Sequence, residues 1–233
     1  MGELLNFHET SLPCLIFIFC STVFVYNIDR MSISKADRIN NPDRCSWIQN
    51  HSQLTGQINF IFLTASGWFL LNDFSILKLT AALSLLLVCF MYKYQLKKFP
   101  LLKNLTVAAV WSFTVSILPL LWANHSFNST SINFFIFCFL IALANTIIFD
   151  LRDLEGDKID NVKSLPVVTG IRAANTIFYV TLVICLVLGL TLKIFWPLSI
   201  IPASLLIISF GKDNRFKYLL ADLALSLPLI FLL

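Results

Sequence analysis

Long apolar runs alternate with short polar connections along the whole chain. Each run has about 17 to 23 residues, the length that a helix needs to cross about 30 Å of hydrocarbon. We therefore expect an all-α membrane protein, a multi-span helical bundle that forms a single domain over residues 1–233. The pattern predicts eight transmembrane helices, at about 11–28, 54–71, 75–92, 101–123, 131–149, 170–192, 194–210 and 216–233.

The composition agrees with a membrane protein and excludes an ordinary soluble domain. Hydrophobic residues make up 58% of the chain and charged residues 13%, which is about half of the charged fraction of soluble domains. No polar stretch is long enough to form a second, soluble domain. We therefore expect the lipid bilayer as the surroundings of the chain and no nucleic acid as a partner.

Basic residues are concentrated on alternate connections. Fifteen of the 17 lysines and arginines lie between spans one and two, three and four, five and six, or seven and eight. An eight-span topology places these four connections on one side of the membrane, which the positive-inside rule identifies as cytoplasmic. The prediction is an integral, multi-pass protein with both termini on the opposite side.

An acidic segment directly follows the fifth apolar run. Asp150, Asp153 and Asp157 are spaced i, i+3 and i+7, so a continuing helix would place them within about 60° of one face. Carboxylates this close repel each other, and the stripe requires a cation or protonation. A divalent metal is one solution. The alternative is a solvated connection at the membrane surface, neutralised by Arg152 and Lys158.

A basic segment joins the third and fourth spans on the same predicted side. It contains Lys97, Lys98 and Lys103, and lysine is a common partner of phosphate. A metal-binding acidic stripe opposite lysines is what a diphosphate requires. The positive-inside rule alone would also place lysines here, so both interpretations remain open. Asn104 begins the fourth span, and polar residues at the same depth of other spans indicate a polar cavity toward this side.

Three segments together resemble the UbiA superfamily of intramembrane prenyltransferases. Asp150-x-x-Asp153-x-x-x-Asp157, followed by Val167-Val168-Thr169-Gly170, is similar to the second aspartate motif of that family. Tyr92-x-x-x-Leu96-Lys97-Lys98 and the following Pro100 to Asn104 resemble its Tyr/Lys connection. Tyr26-Asn27 with Asn41-Pro42-Asp43-Arg44 resembles its first motif and the segment that trails it. The resemblance covers about residues 20 to 210.

The resemblance implies a nine-helix bundle in which two aspartate motifs bind magnesium and an isoprenyl diphosphate above a cavity open to lipid. Proteins of this family ionise an allylic diphosphate and transfer its isoprenyl group to an aromatic or other lipophilic acceptor. It also implies the roles of individual residues. The catalytic residues and Mg²⁺ ligands would be Asp150, Asp153 and Asp157, and the substrate-binding residues would be Asn27, Asp29, Arg44, Tyr92, Lys97 and Lys98.

The first motif departs from the family pattern N-D-x-x-D-x-x-x-D. Asn27 is followed by Ile28, and Met31 and Lys35 stand at the next two acidic places. Only Asp29, displaced by one residue, can substitute for a missing carboxylate. This departure favours an alternative to a prenyltransferase, namely a non-catalytic relative that binds a prenyl lipid or a partner protein.

Two further classes of membrane protein fit the sequence less well. A transporter with an ion site at the membrane midplane would carry paired charges or a Gly/Pro break at a span centre, and no span does. A CDP-alcohol phosphotransferase also has an aspartate motif at the membrane surface, but the Gly/Ala-Arg pattern that precedes that motif is absent. Prenyl transfer therefore remains the leading hypothesis.

Overall fold

The computed structural model describes residues 12–72 and 75–191, except for the side chain of Lys97. All regular structure in this part of the chain is helical, which confirms the all-α prediction. A short 3₁₀ turn, Leu96–Lys98, follows the fifth helix. The ten helices are α1 Leu12–Met31, α2 Lys35–Asn40, α3 Pro42–Asn50, α4 Ser52–Asn72, α5 Ile76–Tyr94, α6 Leu102–Trp122, α7 Ser129–Arg152, α8 Leu154–Ile159, α9 Leu165–Thr169 and α10 Ile171–Thr191.

Six of these helices are long and apolar enough to cross a membrane. They are α1, α4, α5, α6, α7 and α10. These helices confirm the first six predicted spans, with ends that shift by a few residues. The predicted spans at 194–210 and 216–233 lie outside the described residues.

Helix α7 forms the centre of the core and packs against both α6 and α10. Its buried apolar residues recur every three or four positions, as expected for one face of a helix that is covered by neighbours. They include Phe134, Phe137, Ile141, Ala144 and Ile147. The carboxyl end of this well-packed helix carries Asp150, so the core fixes where that carboxylate lies.

The basic connections gather at one end of the bundle. Lys93, at the end of α5, donates from Nζ to the carbonyl oxygen of Ile28 in α1 at 3.1 Å. Lys103, at the start of α6, contacts Asp157 of α8 at 2.7 Å. The connections between spans one and two, three and four, and five and six therefore share one end. Its cytoplasmic location stays a prediction.

The connection between α1 and α4 is folded into two short helices. The hydroxyl of Ser34 accepts from the backbone N–H of Asp37 at 3.1 Å, and the Asp37 carboxylate accepts from the N–H of Ser34 at 3.0 Å. This reciprocal pair is a capping box, which starts α2. The chain then turns at Asn41, and Pro42 takes the first position of α3, where a missing N–H costs no hydrogen bond.

The acidic segment is not one continuous helix. Helix α7 ends at Arg152, α8 begins at Leu154, and Asp153 between them has φ −93° and ψ 11°. The three carboxylates therefore do not share one helical face. Helix α2 packs on α8, and the N–H of Ala36 donates to Asp160 Oδ1 at 3.3 Å. These contacts hold the acidic segment in its bent form.

Gly156 lies where α2 packs on α8, and its replacement by alanine requires the side chain of Asn40 to move. A Cβ at this position would overlap the side-chain amide of Asn40. Overpacking costs about 1 to 3 kcal/mol, whereas alanine in place of glycine within a helix gains about 1 kcal/mol. Gly156→Ala should thus lower the unfolding temperature of the purified protein. In an Asn40→Ala background the same change should raise it, because the overlap is gone. The same sign in both backgrounds would contradict the contact.

Candidate functional site

Three charged side chains meet at the end of the bundle where α6 begins and α7 ends. Lys103 Nζ lies 2.7 Å from Asp150 Oδ1 and 2.7 Å from Asp157 Oδ2. The exposed fractions of the side chains of Lys103, Asp150 and Asp157 are 16%, 5% and 11%. We call these three residues the ion triad. It brings together two of the three aspartates that the sequence predicted as metal ligands.

The local backbone explains how the triad forms. Lys103 lies in the first turn of α6. The helix follows directly after Leu101, whose φ of 63° is in the left-handed region that residues with a side chain rarely adopt. Backbone strain of this kind is found preferentially at functional sites. Asp150 lies in the last turn of α7, and the bend at Asp153 brings Asp157 of α8 back toward it. The triad thus joins three helices.

Asn104 supports the triad from beneath and is 1% exposed. Its Nδ2 donates to Asp150 Oδ2 at 2.7 Å and to Thr146 Oγ1 at 3.1 Å. Its Oδ1 accepts from the backbone N–H of Leu165 at 3.1 Å. Both oxygens of Asp150 therefore have donors, one from Lys103 and one from Asn104. A single buried amide connects α6, α7 and the start of α9.

The triad carries two negative charges and one positive charge. Buried charges are stable only when they are paired and hydrogen-bonded, and removal of one partner leaves an uncompensated charge. Lys103 offsets the repulsion between Asp150 and Asp157, because its ammonium lies between the two carboxylates. The net charge of about −1 still favours additional cations.

Asp153, the third predicted metal ligand, has a different partner. Arg152 contacts it in a bidentate manner, with Nε 2.7 Å from Oδ1 and Nη2 2.8 Å from Oδ2. The guanidinium also lies over the ring of Phe149, 4.8 Å from its centroid. Asp153 is thus held at the bend by its neighbour and is not part of the ion triad.

Tyr92 lies near the end of α5, at the same end of the bundle as the ion triad. It is half-buried and lies within electrostatic reach of Lys103, Asp150 and Asp29. Asp29 is exposed near the end of α1, and Asn27 one half-turn earlier is half-buried. The end of α1 therefore lies at the same end of the bundle as the triad. The roles of Asn27 and Asp29 in binding substrate stay a prediction.

The remaining predicted substrate-binding residues are basic. Lys98 is exposed in the 3₁₀ turn after α5, and the side chain of Lys97 lies outside the described part of the structure. Arg44 of α3 pairs with Asp37 of α2, with Nη2 2.5 Å from Oδ1. Its Nε is buried and has no hydrogen-bond partner among residues 12–72 and 75–191. Among the described side chains, Arg44 is thus paired with Asp37 and not with a member of the ion triad.

A lysine contacts the chain at the degenerate first motif, near the end of α1. Lys93 Nζ donates to the carbonyl of Ile28 at 3.1 Å and to Ser32 Oγ at 2.8 Å. Helix α1 ends at Met31, and Lys35 begins α2. Ammonium groups thus lie at this end of α1, where the family pattern has carboxylates.

Lys103 and Asn104 belong to the site but were not predicted as site residues. The sequence does contain a sign of their role: a lysine and an asparagine stand next to each other at the start of a span. Polar residues within a span usually have partners in the bundle. Sequence spacing could not identify those partners, because Asp150 and Asp157 lie about fifty residues further along the chain.

The resemblance implies that the site binds Mg²⁺, and the geometry of the ion triad indicates whether the residues suit this ion. Mg²⁺ prefers carboxylate and phosphate oxygens and needs few protein ligands when a substrate phosphate is present. Asp150 and Asp157 already place one oxygen each around a single cationic nitrogen. The carboxylate pair therefore fits a cation. Within the described residues, no group of three or more Asp, Glu, His or Cys side chains is arranged to hold a metal.

The fold and the site define a class: a helical membrane protein of several spans with a charged site at one end of its bundle. Comparison with known sequences gives the family. The sequence model of the UbiA prenyltransferase family matches residues 7–218, and the chain belongs to this family. The resemblance seen in the motifs is thereby confirmed.

Two curated relatives are archaeal enzymes, both named digeranylgeranylglyceryl phosphate synthase. The protein from Thermococcus gammatolerans is 32% identical over 139 residues, which is 59% of this chain and 49% of the relative. The protein from Thermococcus sibiricus is 33% identical over 97 residues, which is 41% of this chain and 33% of the relative. The matches thus span half or less of the length of these relatives. No solved structure matches the chain significantly.

Proposed function

We propose that this protein is a membrane prenyltransferase, which moves an isoprenyl group from an isoprenyl diphosphate to a lipophilic acceptor. The observation that carries the proposal is the buried ion triad at the end of an apolar bundle, in a chain of the UbiA prenyltransferase family. A diphosphate needs cations, and an isoprenyl tail needs an apolar environment. The end of the spans is where the two requirements meet.

The roles of the residues follow from their positions. Lys103, next to the basic turn that contains Lys97 and Lys98, holds the diphosphate and stabilises the negative charge that develops on it as the bond to carbon breaks. Tyr92, which is within electrostatic reach of Lys103, orients the same group by a hydrogen bond from its hydroxyl. The apolar spans exclude water from the allylic cation, which would otherwise be hydrolysed.

We further propose that Asp150 and Asp157 hold Mg²⁺ together with oxygens of the diphosphate. Magnesium bound in this way would neutralise the leaving diphosphate and so assist its departure. Asp153 can become a third ligand of Mg²⁺ only if its carboxylate separates from Arg152. Arg44, Asn27 and Asp29 remain candidate contacts of the substrate.

The relatives suggest one acceptor to test. Their name describes enzymes that make a glyceryl phosphate with two geranylgeranyl groups. A geranylgeranylglyceryl phosphate therefore belongs in an acceptor panel, beside aromatic acceptors such as quinone precursors. Both kinds of acceptor are lipophilic and can reach the site from the bilayer.

The test is prenyl transfer by the purified protein in detergent. Labelled allylic diphosphates of several chain lengths are incubated with each acceptor, with magnesium or with EDTA. We expect magnesium-dependent release of diphosphate and a labelled, lipid-soluble product in at least one pairing. No transfer and no release in any pairing would contradict the proposal.

The degenerate first motif supports one other function, a non-catalytic protein that binds a prenyl lipid or a partner protein. Met31 and Lys35 remove two of the carboxylates that the family pattern has there, and Lys93 contacts the end of α1. The same experiment separates the two functions. Binding of an allylic diphosphate without magnesium and without turnover would favour the non-catalytic protein.

A further inference from the structure

Lys103 occupies the position between Asp150 and Asp157 that a metal ion bound by both would take. Its ammonium lies 2.7 Å from an oxygen of each carboxylate and is largely buried. The second oxygen of Asp150 accepts from Asn104. Each oxygen of Asp150 therefore already has one donor, and a metal bound between Asp150 and Asp157 would have to take the place of the Lys103 ammonium.

A magnesium ion and the ammonium of Lys103 cannot share this position. Mg²⁺ binds carboxylate oxygens at about 2.0 to 2.1 Å, and it would then lie within a few ångströms of the lysine nitrogen, where like charges repel strongly. Asn104 is fixed by its other contacts with Thr146 and Leu165. Lys103 is the more mobile of the two donors because its ammonium is carried on a flexible four-carbon chain.

We propose that Lys103 is the resident cation of the second aspartate motif and that it competes with magnesium for Asp150 and Asp157. In the absence of a diphosphate, the ammonium keeps the carboxylates neutralised and the affinity for metal low. When a diphosphate arrives, Lys103 moves to its oxygens, and the carboxylates become available to the metal. Diphosphate and metal then bind with positive cooperativity, each raising the affinity for the other. This inference rests on the proposed function, because it concerns the same site.

Metal binding tests this competition without any need for turnover. Mn²⁺ replaces Mg²⁺ as a paramagnetic probe, and its binding to the full chain in detergent is followed by electron paramagnetic resonance. We expect weak binding to the unaltered protein and at least about tenfold tighter binding to Lys103→Met, in which the competing charge is gone. Inorganic pyrophosphate should tighten Mn²⁺ binding to the unaltered protein much more than to Lys103→Met.

Lys158→Met is the matched control, because Lys158 is exposed on α8 and its loss changes the net charge equally. It should leave Mn²⁺ binding within about twofold of the unaltered protein, since exposed charges are largely screened. Equal tightening by both variants, or none by Lys103→Met, would overturn the competition. The first would indicate a general charge effect, and the second an ion triad that only stabilises the fold.

Lys103→Met leaves two buried carboxylates without their cation and can fail to fold without metal. Restoration of its folding by Mn²⁺ would itself support the proposal. Lys103→Gln provides a second variant, since an amide still donates to one carboxylate, and it should bind Mn²⁺ at least about threefold more tightly than the unaltered protein. Failure of Mn²⁺ to restore the first variant or to bind the second more tightly would overturn the proposal. Because no step requires prenyl transfer, an inactive protein with these binding properties would contradict only the proposed function.

Discussion

Asp150→Asn should lower prenyl transfer by about 100-fold or more at saturating magnesium. Loss of one group that stabilises developing charge in a buried site typically costs a factor of 10² to 10³. In the unaltered protein, Asn104 Nδ2 donates to Asp150 Oδ2 at 2.7 Å. In Asp150→Asn, the new side-chain oxygen can still accept from Lys103, but the new NH₂ group then faces the NH₂ group of Asn104, and two donors cannot pair. The measurement is the rate of transfer per folded protein, with folding followed by size-exclusion chromatography and thermal unfolding.

Two other acidic residues serve as comparisons for Asp150→Asn. Glu155 is exposed on α8, and Glu155→Gln should leave the rate within about twofold, since exposed charges are largely screened. Asp153→Asn should have a smaller effect than Asp150→Asn because both oxygens of Asp153 already contact Arg152. If Asp153→Asn abolished transfer while Asp150→Asn retained it, the assignment of the metal to Asp150 and Asp157 would be wrong.

Asn104→Leu should cost about 2 to 5 kcal/mol of the free energy of unfolding. The change is nearly isosteric, but it leaves a buried carboxylate oxygen of Asp150 and the backbone N–H of Leu165 without partners. A buried group that loses its hydrogen bond costs about 1 to 3 kcal/mol, and more when it is charged. The measurement is denaturant unfolding in mixed micelles, or the shift of the thermal midpoint in detergent.

Asn104→Asp separates the two contacts of this residue. The carboxylate keeps an acceptor for the N–H of Leu165 but replaces the donor to Asp150 with a second acceptor. We therefore expect Asn104→Asp to be less stable than the unaltered protein and to bind cations more tightly, because a third carboxylate joins the site. Equal stability of Asn104→Leu and the unaltered protein would show that the amide does not support the site.

The two aspartate motifs have become unequal in this chain. The second retains its three carboxylates, whereas the first has only Asp29, and Lys93 and Lys35 add positive charge near the end of α1. If the chain is a prenyltransferase, we expect it to depend on its own lysines for part of the charge neutralisation that metal ions supply in proteins with two intact motifs.

The sequence predicted the fold well where hydrophobic length alone decides the structure. The six spans from α1 to α10 match the predicted runs because the bilayer requires about twenty apolar residues in helical form, whatever their neighbours are. The alternation of basic connections also predicted which connections share one end. For the three that the structure describes, the contacts of Lys93 with Ile28 and of Lys103 with Asp157 confirm it; the connection between spans seven and eight lies outside the described residues. Neither prediction depends on how the helices pack.

The site was predicted only in part, because its chemistry depends on contacts between distant residues. The spacing of Asp150 and Asp157 identified the acidic segment, but the same spacing also included Asp153, which the bend after Arg152 places against a different partner. Periodicity assumes a straight helix. Between α7 and α8 the chain bends, so periodicity wrongly assigns Asp153 to the same face as Asp150 and Asp157.

The sequence by itself determined that this protein is an all-α membrane protein with an acidic segment at the end of its fifth span. It also determined the family resemblance, because the motif residues and their spacing are local properties of the chain. Only the tertiary structure decided that Lys103 lies between Asp150 and Asp157 and that Asn104 holds Asp150. The physical reason is that residues about fifty positions apart form an ion pair only where packing brings them within about 3 Å of each other, and no local pattern encodes that distance. The cation that the acidic segment required was already present in the chain.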